Sequence, residues 1–271
     1  MRLFHKSSCF PLVAFLAFLL SCGSLNPSQA YAVAEFSKNR IEDQGDSAIA
    51  IALAELLHAG RLVISDQQII INDPQKGDKG LDSSVVTDKI SDQFSVISGY
   101  EMDKLDHGSV LYFQLDSLLL TMKETIDKNL PHINKKEVAY KEFGPDEFTK
   151  AVAKAFAAKT KDNVEIHITN SYSSLRSFWN RPDKWEKYAI EKRIQGALYP
   201  KGKPVVDHLK DGSKHIVRVA YPEYYAQSCL LCHGSPKAEK DITGTKREGK
   251  RPEDFAGIIT VTIVKDSLTT H

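Results

Sequence analysis

Along residues 48–64 apolar side chains return at helical spacing, with Ile49, Leu53, Leu56, Leu57 and Val63 on one stripe and no proline to interrupt it. That pattern predicts an amphipathic helix. Asn72-Asp73-Pro74 and Gly77-Asp78-Lys79-Gly80 then mark a loop. Residues 85–97 and 110–126 read as two further helices. Gly144-Pro145-Asp146 opens another, with Pro145 in its first turn and the acids Asp146 and Glu147 suited to its positive end. Phe148, Val152 and Phe156 repeat every four residues as its buried face. The period then falls from 3.6 to 2. Val164, Ile166 and Ile168 alternate with Glu165, His167 and Thr169, the mark of a half-buried strand. Residues 215–221 alternate again, and residues 255–264 are rich in Ile, Val and Thr. A helical first half followed by strands predicts an α+β domain. The Lys- and Arg-rich stretch 236–254 reads as a solvated loop.

Composition changes this picture little: 42% hydrophobic and 26% charged residues are those of an ordinary globular chain and exclude disorder. A net charge of +1 offers no field for gripping nucleic acid, so none is expected as a partner. The N-terminus adds more. Arg2 and Lys6 precede an apolar run over residues 10–20, with no acid before Glu35. The run is shorter than the roughly 20 residues a spanning helix needs. Residues 1–32 are therefore expected to be an export signal, leaving residues 33–271 as one mature domain in the periplasm. Cleavage after Ala30-Tyr31-Ala32 is one reading. The other is a lipoprotein box, Leu19-Leu20-Ser21-Cys22, with lipidated Cys22 as the sole membrane attachment; Leu20 is bulky for such a box.

Cleavage after Ala32 leaves Cys229 and Cys232 as the mature chain's cysteines. They belong to Cys229-Leu230-Leu231-Cys232-His233, the c-type haem attachment pattern. Two thiols so spaced can add to the two porphyrin vinyl groups, and the next residue, His233, is carried to the iron as proximal ligand. One covalent haem c is the expected cofactor. Zinc would want a second ligand pair. A thioredoxin-like pair would sit at a helix N-terminus after a strand and needs no histidine.

Leu175-Arg176, Arg181-Pro182-Asp183-x-Trp185-Glu186, Tyr221-Pro222, the Cys229–His233 motif with Gly234, and Gly257-x-Ile259-x-Val261 together resemble the PAS-like c-type haem domain family over roughly residues 45–268. The resemblance implies an exported protein, free-standing or part of a sensor kinase. It implies a PAS-like mixed or antiparallel sheet flanked by helices, with a long N-terminal helix. It also implies haem held through Cys229, Cys232 and His233. Some members carry a cysteine as sixth ligand near the end of the first long helix. Here that stretch reads Leu62-Val63-Ile64-Ser65-Asp66. Ser65 is the nearest match, a neutral hydroxyl is a poor ligand, and the sixth ligand stays unassigned.

Several other residues are candidates. Tyr221 and Tyr225 are expected to pack on the haem, and Trp179, Trp185 and Tyr224 are weighed with them. Arg176 is a candidate partner for a haem propionate, as are Arg181 and Arg218. His58 could reach the haem, although a half-exposed helix histidine is the plainer expectation. His107, His132 (in a surface turn after Pro131), His167, Met102 and Met122 carry no distinguishing context. Lys237, Lys240, Lys246, Arg247, Lys250 and Arg251 could steer an acidic redox partner. Three functions compete: one-electron transfer, redox or small-gas (NO or CO) sensing through a separate partner, and a haem enzyme such as a peroxidase. The last needs a distal acid–base pair that the sequence does not reveal.

Overall fold

The computed structural model describes residues 45–161 and 163–266. The export-signal and lipidation expectations fall on residues 1–32, outside the described residues. Helix α1 (Asp46–Asp66) runs longer than its apolar stripe predicts, and Ile49, Leu53, Leu56, Leu57 and Val63 are all buried. It is long and apolar enough to cross a membrane by length and composition, yet most of it is buried inside the protein, as in a core helix. A one-turn helix α2 (Gln68–Ile71) follows, then α3 (Ser83–Ser98) and α4 (Val110–Ile133). Helix α4 continues through Pro131, so His132 lies in its last turn rather than in a surface turn.

Helix α5 (Pro145–Lys159) starts where proline and the two acids predict, and the Glu147 carboxylate accepts from the Gly144 N–H at 3.2 Å. Phe148, Val152 and Phe156 are fully buried. Strand β1 (Val164–Thr169) spans the alternating residues, with Val164, Ile166 and Ile168 buried, but Thr169 is buried as well. Beyond the sequence expectations come helix α6 (Lys184–Tyr188), a π-helical turn at Ala189–Ile194 and strand β2 (Val205–Asp211). Strand β3 (Lys214–Tyr224), the short helix α7 (Leu230–His233) and strand β4 (Phe255–Asp266) complete the chain.

The sheet is antiparallel throughout, in the order β1-β4-β3-β2. Register puts Ile166 beside Val261 and Val261 beside Val219, a row of branched side chains across three strands. That row faces the main core, built with α1, α3, α4 and α5. On the other face Ala220, Ile258 and Val205 meet Ala189 and Ile190 in a smaller cluster. Central β4 is buried on both faces over residues 257–261, with Ile259 and Val261 toward the main core and Ile258 and Thr260 on the other side. Gly257, the third residue of this strand, has φ +133°, and a Cβ there would lie 2.5 Å from the Thr169 carbonyl oxygen.

The Pro182-Asp183-x-Trp185-Glu186 stretch is a structural staple. The Asp183 carboxylate caps α6 by accepting from the Glu186 N–H at 2.8 Å, and the Glu186 carboxylate accepts from the Asp183 N–H in return. Trp185 Nε1 donates to Asp207 on β2, Arg218 on β3 pairs with Asp183, and His167 on β1 pairs with Glu186. Three side-chain contacts thus pin α6 and its cap to three strands.

Candidate functional site

Strand β3 ends at Tyr224 and its chain continues directly into the cysteine motif. A 3₁₀ turn (Gln227–Cys229) leads into α7, whose last residue is His233. The turn is closed by the Gly234 N–H donating to the Leu230 carbonyl at 2.9 Å. Only glycine suits this closure, because a Cβ at position 234 would stand 2.6 Å from that carbonyl oxygen. The returning chain fastens the motif, with the Lys250 N–H donating to the His233 carbonyl at 2.8 Å.

Cys229, Cys232 and His233 all line one cavity of about 580 Å³, inside the ~300–1,000 Å³ range of small-molecule and cofactor clefts. Its other walls come from α1, the start of α5, the end of β1 and the segment around Arg176. The motif itself is half-buried, with Leu231 exposed at the surface.

One wall carries Arg176. Its guanidinium donates to Glu248 at 2.9 Å, to Asp241 at 2.7 Å and to the Cys232 carbonyl at 2.9 Å. Glu248 in turn meets His233 Nδ1 at 2.9 Å. Arg176 therefore clamps the motif, with its donors committed to protein acceptors. Burial pushes the His233 imidazole below its ordinary value, and Arg176 adds to that against the pull of Glu248. A neutral imidazole is the form that ligates metal. Burial, together with nearby Asp241, pushes the Cys232 thiol up. A thioredoxin-like pair depends on a lowered thiol value.

A more deeply buried carboxylate, serving a helix, marks the α1 wall. Glu223 at the end of β3 is buried, and its Oε1 meets both His58 Nδ1 at 2.8 Å and Arg61 Nε at 2.9 Å. Burial alone would raise its carboxyl, but the Arg61 charge and the His58 bond overcome this and hold it at about 2. Arg61 also donates to Thr149 Oγ1 at 2.8 Å, stapling α1 to the first turn of α5. One helical stretch further on, Ser65 Oγ approaches Cys229 Sγ at 3.7 Å.

The cavity wall includes Tyr225, whose ring lies 4.9 Å from that of His233, and Tyr224. Tyr221 stands behind His58, ring centroids 5.6 Å apart, packed on the main core and off the wall. Arg218 pairs with Asp183 and Arg181 covers the Phe178 ring; neither lines the cavity. Trp179 is exposed, Met122 is buried against Gly60, and His107 stacks on Tyr112. The sequence reading overlooked Arg61, Glu223, Asp241, Ser228 and Glu248. An arginine inside an otherwise apolar helix, three residues after a histidine, was the available signal for Arg61: burying such a charge requires a partner. The stretch 236–254 is solvated for most of its length but delivers buried Asp241 and half-buried Glu248 to the site.

A family model for Tll0287-like domains matches residues 100–264, more than half of the 271-residue chain and the whole cysteine motif. The chain belongs to the Tll0287-like family. This is a haem-binding domain family. The Tll0287-like match begins after α1, so the His58–Arg61 wall lies outside it. Comparison with curated proteins and with solved structures returned no match. The residues present fit a haem: two thiols and an imidazole face one cavity, and Ser228 Oγ on its wall is buried with no hydrogen-bond partner.

Proposed function

We propose that this chain is an exported monohaem c-type cytochrome with a PAS-like domain, exchanging single electrons in the periplasm. The observation that carries the reading is the convergence of Cys229, Cys232 and His233 on one 580 Å³ cavity. In this reading the two thiols form the thioethers and His233 Nε2 is the proximal ligand, since Nδ1 is taken by Glu248. When bound, the haem supplies a one-electron ferrous–ferric couple. The protein's own residues hold and orient it. Arg176 fixes the motif loop through the Cys232 carbonyl, and Tyr225 packs on the ligand imidazole.

Electron exchange is supported by the half-buried motif with Leu231 exposed beside it. Exposed Lys237, Lys240, Lys246 and Arg251 follow the motif and suit an acidic redox partner. The PAS-like assignment is supported by a single antiparallel sheet with its main helical layer on one face. Export rests on the N-terminal charge and hydropathy pattern, with Cys22 lipidation as the variant that would anchor the chain to a membrane.

The test is expression in a host able to mature c-type cytochromes, followed by a denaturing gel stained for haem and a spectrum of the pyridine complex. One haem should stay with the denatured chain, and the C229A/C232A double variant should lose it. A colourless wild-type band sinks the proposal. A reduced spectrum unaffected by carbon monoxide is expected of the electron carrier; full carbon monoxide binding would replace it with gas sensing.

A further inference from the structure

We propose that His58 is the second axial ligand of the haem iron, through Nε2. The inference rests on the covalent-haem reading above and fills the position which that reading leaves open.

Among the described residues, His58 and His233 are the two imidazoles on the cavity wall. They are mounted alike. Each has its Nδ1 on a glutamate oxygen, at 2.8 Å for Glu223 and 2.9 Å for Glu248. Each glutamate is gripped by an arginine, Arg61 and Arg176 respectively. Arg61 can only donate, and its Nε and His58 Nδ1 share the same Glu223 oxygen. The carboxylate is the acceptor for both, so His58 bears a proton on Nδ1, and it is Nε2 that the neutral tautomer leaves free to ligate. A carboxylate behind the Nδ1–H is the arrangement that orients metal-bound imidazoles and makes them more basic. Tyr221 against the ring limits its rotation.

The competing donors are worse placed or worse suited. Ser65 is a neutral hydroxyl directed at Cys229 Sγ. Met102 and Met122 are absent from the cavity wall. His107, His132, His167, His208 and His215 are absent from it as well.

The experiment uses the full haem-loaded chain and reads absorption and electron paramagnetic resonance, with no activity involved. Wild type should be low-spin in both redox states and refuse carbon monoxide. H58A should be high-spin, bind carbon monoxide stoichiometrically and return to low-spin on adding free imidazole. H107A should keep the wild-type spectrum. H58M, which like H58A leaves Glu223 without its imidazole partner but supplies a thioether ligand, is the second variant: it should stay low-spin with a raised potential, as for histidine–methionine ligation. A high-spin wild type, or a folded H58A that stays low-spin without imidazole, overturns the inference while a haem-stained band keeps the cytochrome reading. A colourless band overturns both together.

Discussion

The cavity has two polar walls built on one plan, an arginine holding a glutamate that holds a histidine, but raised on different foundations. Arg61, Glu223 and His58 stand on a long helix and the end of a strand. Arg176 and Glu248 stand on connecting segments, and His233 ends a one-turn helix. The Glu223 side chain is 8% exposed and the Glu248 side chain 26%. A carboxylate that deep cannot shed its partners without a large desolvation cost, whereas the loop carboxylate is partly solvated and its pairing is correspondingly weaker. The helix wall is thus a fixed reference against which the loop wall is adjusted.

The largest expected effect is on the helix wall. R61A should leave Glu223 short of its cationic partner and lower unfolding free energy by about 3–5 kcal/mol in denaturant titrations. A loss below about 1 kcal/mol would erase the distinction between the walls. On the loop wall, R176M should cost about 1–3 kcal/mol, with faster amide exchange at Gly234 and Lys250 and little change in α1. If exchange rises equally in α1, the two walls form a single cooperative unit.

Smaller again is D183A at the α6 cap, at about 0.5–2 kcal/mol by thermal unfolding. It removes a cap shared with neither wall, so its effect should add to that of R176M. The smallest effect is one of pH. Burial lowers the His167 value, but the Glu186 bond and charge outweigh it and raise the imidazole above its ordinary 6.5. A group raised in the folded state stabilises fully below pH 6.5 and loses that contribution as pH climbs past its folded value. H167Q should therefore flatten the stability-versus-pH curve just above pH 6.5, and an unchanged curve would reject the pairing.

The same contrast explains what could be read from the chain. His233 was legible because its chemistry is local, with both cysteines within four residues of it. The sequence allowed His58 to reach the haem but could not prefer it over a plain helix histidine, because its carboxylate partner lies 165 positions away on another element. Strand β1 and helix α5 were legible because alternation and a proline start are local signals too. Strand β2 hid because only its first residue, Val205, is fully buried, and Asp207, His208, Lys210 and Asp211 break any apolar pattern. Asp241 and Glu248 hid inside a polar stretch whose composition is that of a surface loop. Nothing in composition separates a carboxylate facing water from one facing an arginine.

Helix α1 gives Leu53, Leu56 and Leu57 to the main core while His58, Arg61, Leu62 and Ser65 floor the cavity. Occupancy of the cleft and integrity of the whole fold therefore share one beam. Any molecule that seats there and not in the unfolded chain must raise the melting temperature in proportion to the logarithm of its concentration. A simple thermal-shift series can thus weigh candidate occupants without knowing what reaction, if any, follows.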